Sequence, residues 1–267
     1  METLFDNNMK FNFPLILVFF FIHTISWGQI ITDRPDQTES SVTLPINILQ
    51  VESGYSFQEE EVFNTLFRYG ISNSIELRLN TNLLFLDNYN GIAPHGRSLE
   101  SESPKFGDLE LGAKIQIFNF EEKHTTIAFL THLSIPTASK YYSNNEYGTL
   151  NRLLVSHDLS KTFSIGYNIG YNKIYREKGV FIYTLAIAKS INKWGFYVEI
   201  FGEQGNNRFQ SNFDSGITYL IKNNLQFDLS FGEGLNNDLS YFSTGLSWNN
   251  NLVFPSTSIY LEKDNNK

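Results

Sequence analysis

The sequence predicts an all-β protein, a closed antiparallel transmembrane β-barrel of about twelve strands. Three observations predict it. Segments of about ten residues alternate apolar and polar side chains over most of the chain, as membrane-spanning strands do. Short and long connections take turns between these segments. An apolar export signal precedes them.

Composition narrows the alternatives. The chain has 267 residues, 41% hydrophobic and 15% aromatic, too apolar for a disordered protein. It has no Cys, so it is neither a disulfide scaffold nor a thiolate metal site. Its 20 Lys and Arg stand against 28 Asp and Glu, a net charge of −8 without a basic block, so nucleic acid is not an expected partner. Mean hydropathy is slightly negative, which excludes a bundle of membrane helices. A soluble globular protein and a membrane barrel both survive this test, because a barrel averages an apolar outer face with a polar inner one.

The first element is the export signal, residues 1–28. Residues 1–8 (METLFDNN) carry two acids and look unlike a leader, which suggests that translation starts at Met9. Lys10 supplies positive charge, residues 13–22 (FPLILVFFFI) the apolar stretch, and Ser26 and Gly28 the small residues before a cleavage ahead of Gln29. The apolar run is too short to span a membrane stably. Residues 29–47 are then a periplasmic N-terminal segment, 48–248 the barrel, and 249–267 a tail or an extra strand.

The strands follow in order. Leu49, Val51, Ser53, Tyr55 and Phe57 share a face against Gln50, Glu52, Gly54 and Ser56. Phe63 to Ile71 alternates against Asn64, Leu66, Arg68 and Gly70, and Ile75 to Leu83 against Glu76, Arg78, Asn80 and Asn82. Leu109 to Ile117 opposes Asp108, Glu110, Gly112, Lys114 and Gln116, and Ile127 to Ile135 opposes Ala128, Leu130, His132 and Ser134. Residues 151–159 alternate less cleanly, and 181–191 are apolar on both faces, so their register is open. The segments at 163–171, 194–200, 213–219, 225–231 and 242–248 return to clean alternation. Short links at 72–74, 160–161, 192–193 and 222–224 interleave with longer ones at 87–106, 137–149, 203–210 and 233–240. Aromatic residues at strand ends (Tyr55, Phe57, Phe63, Tyr69, Trp194, Phe231, Trp248) fit two interface girdles. A soluble barrel would show the same alternation with its faces exchanged. The export signal, the even strand number and the girdles favour the membrane form.

Ordered blocks of residues then carry a family resemblance. Residues 31–40 read ITDRPDQTES, 49–54 LQVESG, 66–71 LFRYGI and 75–79 IELRL. GD at 107–108, GAK at 112–114, LSIP at 133–136, VE at 198–199, DSG at 214–216, QFD at 226–228 and GEG at 232–234 continue the series. In this order they resemble the outer-membrane barrel family known as putative MetA-pathway of phenol degradation proteins. The resemblance implies an outer-membrane location and transport of small molecules. It does not by itself assign phenol as the solute. The chain departs from the pattern at its end, where residues 249–267 follow Trp248 instead of an aromatic terminus that the barrel insertion machinery would read.

Strand parity puts Glu52, Arg68, Glu76, Arg78, Asp108, Glu110, Lys114, His132, Glu199, Asp214 and Asp228 on the polar face. A Lys or Arg facing lipid at mid-depth costs about 2–4 kcal/mol, so this face should line the lumen. There the charges either set the selectivity of a wet channel or pair across it and fill it. Asp33, Arg34, Asp36 and Glu39 form a polar motif before the first strand. They can act as a plug that enters the lumen or as a local clamp to the barrel floor, and the clamp is the expectation taken here. No enzyme motif occurs, and Ser156, His157 and Asp158 are strand neighbours that point to opposite faces. No cofactor or metal is expected. The function expected is a monomeric, lipid-embedded passive channel or uptake route for small, including hydrophobic or aromatic, molecules. A structural or surface-interaction barrel with a blocked lumen is the alternative, and a lipid hydrolase built on His132 and Ser134 is the third.

Overall fold

The computed structural model describes residues 29–58, 60–85, 104–138, 143, 145–173, 179–205 and 208–250. The expected leader, the 87–103 part of one long connection, and the tail from 251 onward lie outside these residues. Twelve full-length strands are present: β1 (Leu49–Phe57), β2 (Glu61–Ser72), β3 (Ile75–Phe85), β5 (Leu109–Phe120), β6 (Thr125–Ile135), β7 (Gly148–Ser160), β8 (Phe163–Lys173), β9 (Val180–Ile191), β10 (Trp194–Gly205), β11 (Arg208–Lys222), β12 (Leu225–Gly234) and β13 (Ser240–Asn249). A two-residue strand, β4 (Lys105–Phe106), pairs with the far end of β3.

Each full-length strand pairs antiparallel with its chain neighbour, and β1 pairs with β13 from Gln50↔Asn249 to Phe57↔Phe242. The sheet therefore closes on itself and leaves no long free edge, the condition for a sheet to span lipid. Register shifts fall at Gly70/Ser72, Gln116/Phe118, Asp158/Ser160 and Leu220/Lys222, all beside the turns at the end where the chain enters. Bulges at a barrel rim let the strands curl into the turns.

The faces divide as strand parity expects. Leu77, Leu111, Val198 and Leu246 are each close to half exposed on the outside, while Glu52, Arg68, Glu76 and Lys114 have no exposed surface at all. A soluble barrel would reverse this. The open register of β9 is now fixed: Leu185 and Ile187 point out, and Thr184 and Ala186 point in.

Two sequence expectations about connections change. The link expected over 203–210 shrinks, because β10 and β11 remain paired up to Gly205↔Arg208. Asp108 was placed on a strand face, but it precedes β5. Its carboxylate accepts hydrogen bonds from the Ala138 N–H at 3.0 Å and the Ser143 hydroxyl at 3.1 Å. It therefore ties the connection after β6 to the rim and does not line the lumen, since parity cannot tell a strand residue from the last residue of a turn.

The topology carries a prediction. An epitope inserted at Asn236–Asn237, between β12 and β13, should be reachable by antibody on intact cells, and one at Asn192–Lys193 should not. The reverse pattern would invert the barrel.

Candidate functional site

The N-terminal segment does not sit under the barrel floor. Residues 30–47 enter the lumen, reach mid-depth at Asp33–Glu39 and return to the same end, where the Asn47 N–H donates to the Gly70 carbonyl at 2.8 Å. Within this path Ile30, Asp33, Thr38, Ser41, Thr43 and Leu44 are buried. The motif expected to clamp the chain to the barrel floor thus lies inside the lumen. The physical reason is that the charges on the segment find opposite partners on opposite walls, which an arrangement below the floor could not provide.

One wall is cationic. Arg68 on β2 and Arg78 on β3 are directly opposed in the strand register, and Lys114 on β5 pairs with Glu76. Like charges so placed repel, and Glu52 and Glu76 offset only two of the three. Asp33 supplies the third negative charge. Its carboxylate lies 3.2 Å from Arg68 Nη1, 2.5 Å from Arg78 Nη1 and 2.9 Å from Lys114 Nζ. Burial alone would raise the Asp33 pKa, but Arg68, Lys114 and Arg78 outweigh it and hold the carboxyl well below its ordinary range. Glu39 adds a 2.9 Å bond to Arg78 Nη2.

The facing wall is anionic. Glu199, Asp214 and Asp228 come from β10, β11 and β12, with Glu199 directly opposite Asp214. Arg34 reaches the other way from Asp33 and meets Asp228 Oδ1 at 3.1 Å and the Ser243 hydroxyl at 3.0 Å. It lies over the cross-strand pair Gly54↔Gly245, where a side chain on either glycine would collide with the guanidinium. Glu199 accepts the Gln37 N–H at 2.7 Å and the Thr38 hydroxyl.

Neutral residues complete the seat. Asn168 on β8 accepts the Glu39 N–H at 2.7 Å and returns a bond to the Glu39 carbonyl at 3.0 Å, as a neighbouring strand would. Thr184, Gln226, Gln50 and Thr218 add bonds from β9, β12, β1 and β11. Sequence reading missed these residues, because uncharged polar residues on a lumen face look ordinary one strand at a time, and Arg152, because residues 151–159 alternate less cleanly. Their shared depth around the barrel was the available signal. Gly70 is a further fixed point: a Cβ there would sit on the Pro45 carbonyl oxygen and 2.7 Å from that of Leu44. Backbone cannot swing aside as a side-chain tip can. Gly70→Ala should therefore displace the returning limb at a cost of about 1–3 kcal/mol, seen as new protease cleavage within residues 40–47 of the folded barrel.

Above the plug, on the side of the long connections, lies a cavity of about 430 Å³. Its floor is the plug itself, and Glu110, His132 and Arg152 stand in its wall. Glu110 accepts from Asn80 at 3.1 Å and lies 3.3 Å from His132 Nδ1. Ser134 is not bonded to His132, and His157 faces outward between Thr125 (2.8 Å) and Tyr167 (3.2 Å), so neither His builds a nucleophile relay with its sequence neighbours. Among the described residues no group of three or more His, Asp or Glu is arranged to hold a metal ion.

A closed twelve-stranded antiparallel barrel with an apolar outside and a charged inside defines a bacterial outer-membrane β-barrel. The chain belongs to the family described as "Putative MetA-pathway of phenol degradation", whose model matches residues 32–249. No curated protein sequence matches the chain. Solved structures similar to it include the KdgM porin, with TM-score 0.57 and 10% identity over 74% of this chain and 98% of that one. The COG4313 outer membrane channel from Pseudomonas putida F1 gives TM-score 0.56 and 12% identity over 78% and 97%. The NanC porin gives 0.50 and 14% over 74% and 97%. At such identities the likeness is one of fold.

Proposed function

We propose that the barrel is a passive route for small molecules across the outer membrane, shut at rest by its own N-terminal segment. The observation that carries this reading is the seat of residues 29–47: among the described residues it bonds to every full-length strand except β6, and it stands between the outer cavity and the periplasmic end. A solute then passes only when the segment shifts. The likeness to proteins described as porins and as an outer membrane channel supports the reading. The side chains of Val62, Leu66, Leu130 and Leu150 in the cavity wall give room for an apolar body, ring or chain. The protein works as a monomer, reaches the membrane through the barrel insertion machinery, and catalyses no reaction.

Liposome swelling and planar-bilayer recording test it. The full chain should conduct weakly or in brief openings, and a variant lacking residues 30–45 should form a steady pore. If that variant folds but still passes nothing, the transport reading falls. The alternative, a structural barrel, then stands, and the dense bonding of the plug is the observation that favours it.

A further inference from the structure

Most charges in the lumen are balanced, and two that are not border the same cavity. Asp36, at the plug tip, meets its own backbone amide, but among the described residues no Lys or Arg pairs with it. Its charged neighbours Glu199, Asp214 and Asp33 are all acidic, and the carboxyl groups of Glu199 and Asp214 lie against each other. This corner is short of positive charge. Burial and the repulsion of Glu199 and Asp214 push the Asp36 carboxyl well above its ordinary range. Arg152 on β7 has the opposite lack. Glu39 gives its closer bond to Arg78, and its ion pair with Arg152 is stretched to 3.7 Å. The Arg152 side chain keeps about a fifth of its surface open, and Leu130 stands directly opposite it in the strand register. Glu110, also in the wall, is hydrogen-bonded to Asn80 and His132 and acts on Arg152 only through space, without an ion pair.

We infer that this cavity is a binding site for small zwitterions, with an ammonium group at Asp36, a carboxylate at Arg152 and an apolar body against the leucines of the wall. Guanidinium binds carboxylate in a two-pronged geometry, and an ammonium donates up to three hydrogen bonds to an acidic corner without needing a metal-type ligand set. A volume of 430 Å³ falls within the usual range for small-molecule sites. An anion alone would meet Asp36 uncompensated, and a cation alone would meet Arg152. The inference rests on the channel reading for its purpose but not for its measurement.

The test is calorimetric titration of the purified full chain in detergent. The probes are 6-aminohexanoate and 4-(aminomethyl)benzoate, with hexanoate and hexylamine as single-charge controls. Both zwitterions should bind saturably and more tightly than either control. Asp36→Asn should weaken 6-aminohexanoate about ten- to a hundredfold, to the level of hexanoate, and Arg152→Gln should weaken it by a similar factor, to the level of hexylamine. Arg152→Lys should recover part of the loss. Controls that bind as well as the zwitterions, or variants that bind like the parent, would overturn the site. Swelling of vesicles in a neutral sugar keeps the two readings apart. Permeation without zwitterion binding sinks the site alone. Zwitterion binding without permeation, even after residues 30–45 are removed, upholds the site and sinks the channel.

Discussion

Asp33→Asn should open the barrel while leaving its wall folded. The substitution removes the one carboxylate shared by Arg68, Arg78 and Lys114. Those cations keep Glu52 and Glu76, so the strands stay paired, but the plug loses its main hold. Taking one partner from a buried, hydrogen-bonded charge cluster costs about 2–5 kcal/mol, or roughly 30- to several-thousandfold in the docking equilibrium. Open probability in planar bilayers should rise accordingly, with the urea unfolding midpoint in micelles changed much less. An unchanged, closed barrel would show that the plug is held by its neutral bonds. The pH dependence has two opposing parts. Asp33 has its pKa depressed on docking, so its contribution is present above the ordinary carboxylate range and is lost only as pH falls through the lower docked value. Asp36 has its pKa raised, so its contribution is complete below the ordinary range and is lost as pH rises through the docked value. Mild acid should therefore leave the lock shut, and conductance should climb toward alkaline pH. That climb should be smaller in Asp36→Asn, with the remainder carried by the acidic pair Glu199 and Asp214 that faces the plug.

Local pattern made the barrel wall legible and left the plug obscure. A one-residue slip would expose Arg68 or Lys114 to lipid, so a period of two is enough to place them inside. Register did the rest for Arg68 and Arg78, which alternation puts on one face and pairing puts side by side. The plug has no such rule. Asp33 and Arg34 are adjacent in an aperiodic segment, and what separates them is a lumen with a cationic wall at β2–β5 and an anionic wall at β10–β12. That polarity is a property of the closed ring and cannot be read from any one strand. Asp108 shows the converse error: parity carried it into β5, whereas the chain turns there and spends its carboxylate on a neighbouring loop.

Arg68→Met should do to the whole barrel what Asp33→Asn does to the plug. The Arg68 guanidinium grips Glu76 through Nε (2.9 Å) and Nη2 (3.0 Å), and Glu52 through Nη1 (2.9 Å). It also donates to the Ile31 carbonyl at 3.3 Å on the entering limb and to the Val42 carbonyl at 3.4 Å on the returning one. One side chain thus joins β1, β2, β3 and both limbs of the plug. Without it Glu52, Glu76 and Asp33 are crowded, buried carboxylates with only Arg78 and Lys114 to offset them. Breaking a buried ion cluster from one side costs about 3–5 kcal/mol, so the urea midpoint should fall clearly and the yield of folded barrel with it. Arg68→Lys should lie between, because it keeps the charge but loses the planar fork that serves several partners at once. Equal midpoints for Arg68→Met and Asp33→Asn would mean that the wall does not depend on this residue. If the wall does depend on it, the same guanidinium that stabilises the barrel also fixes the plug in its lumen, and fold and gate cannot be separated by mutating Arg68.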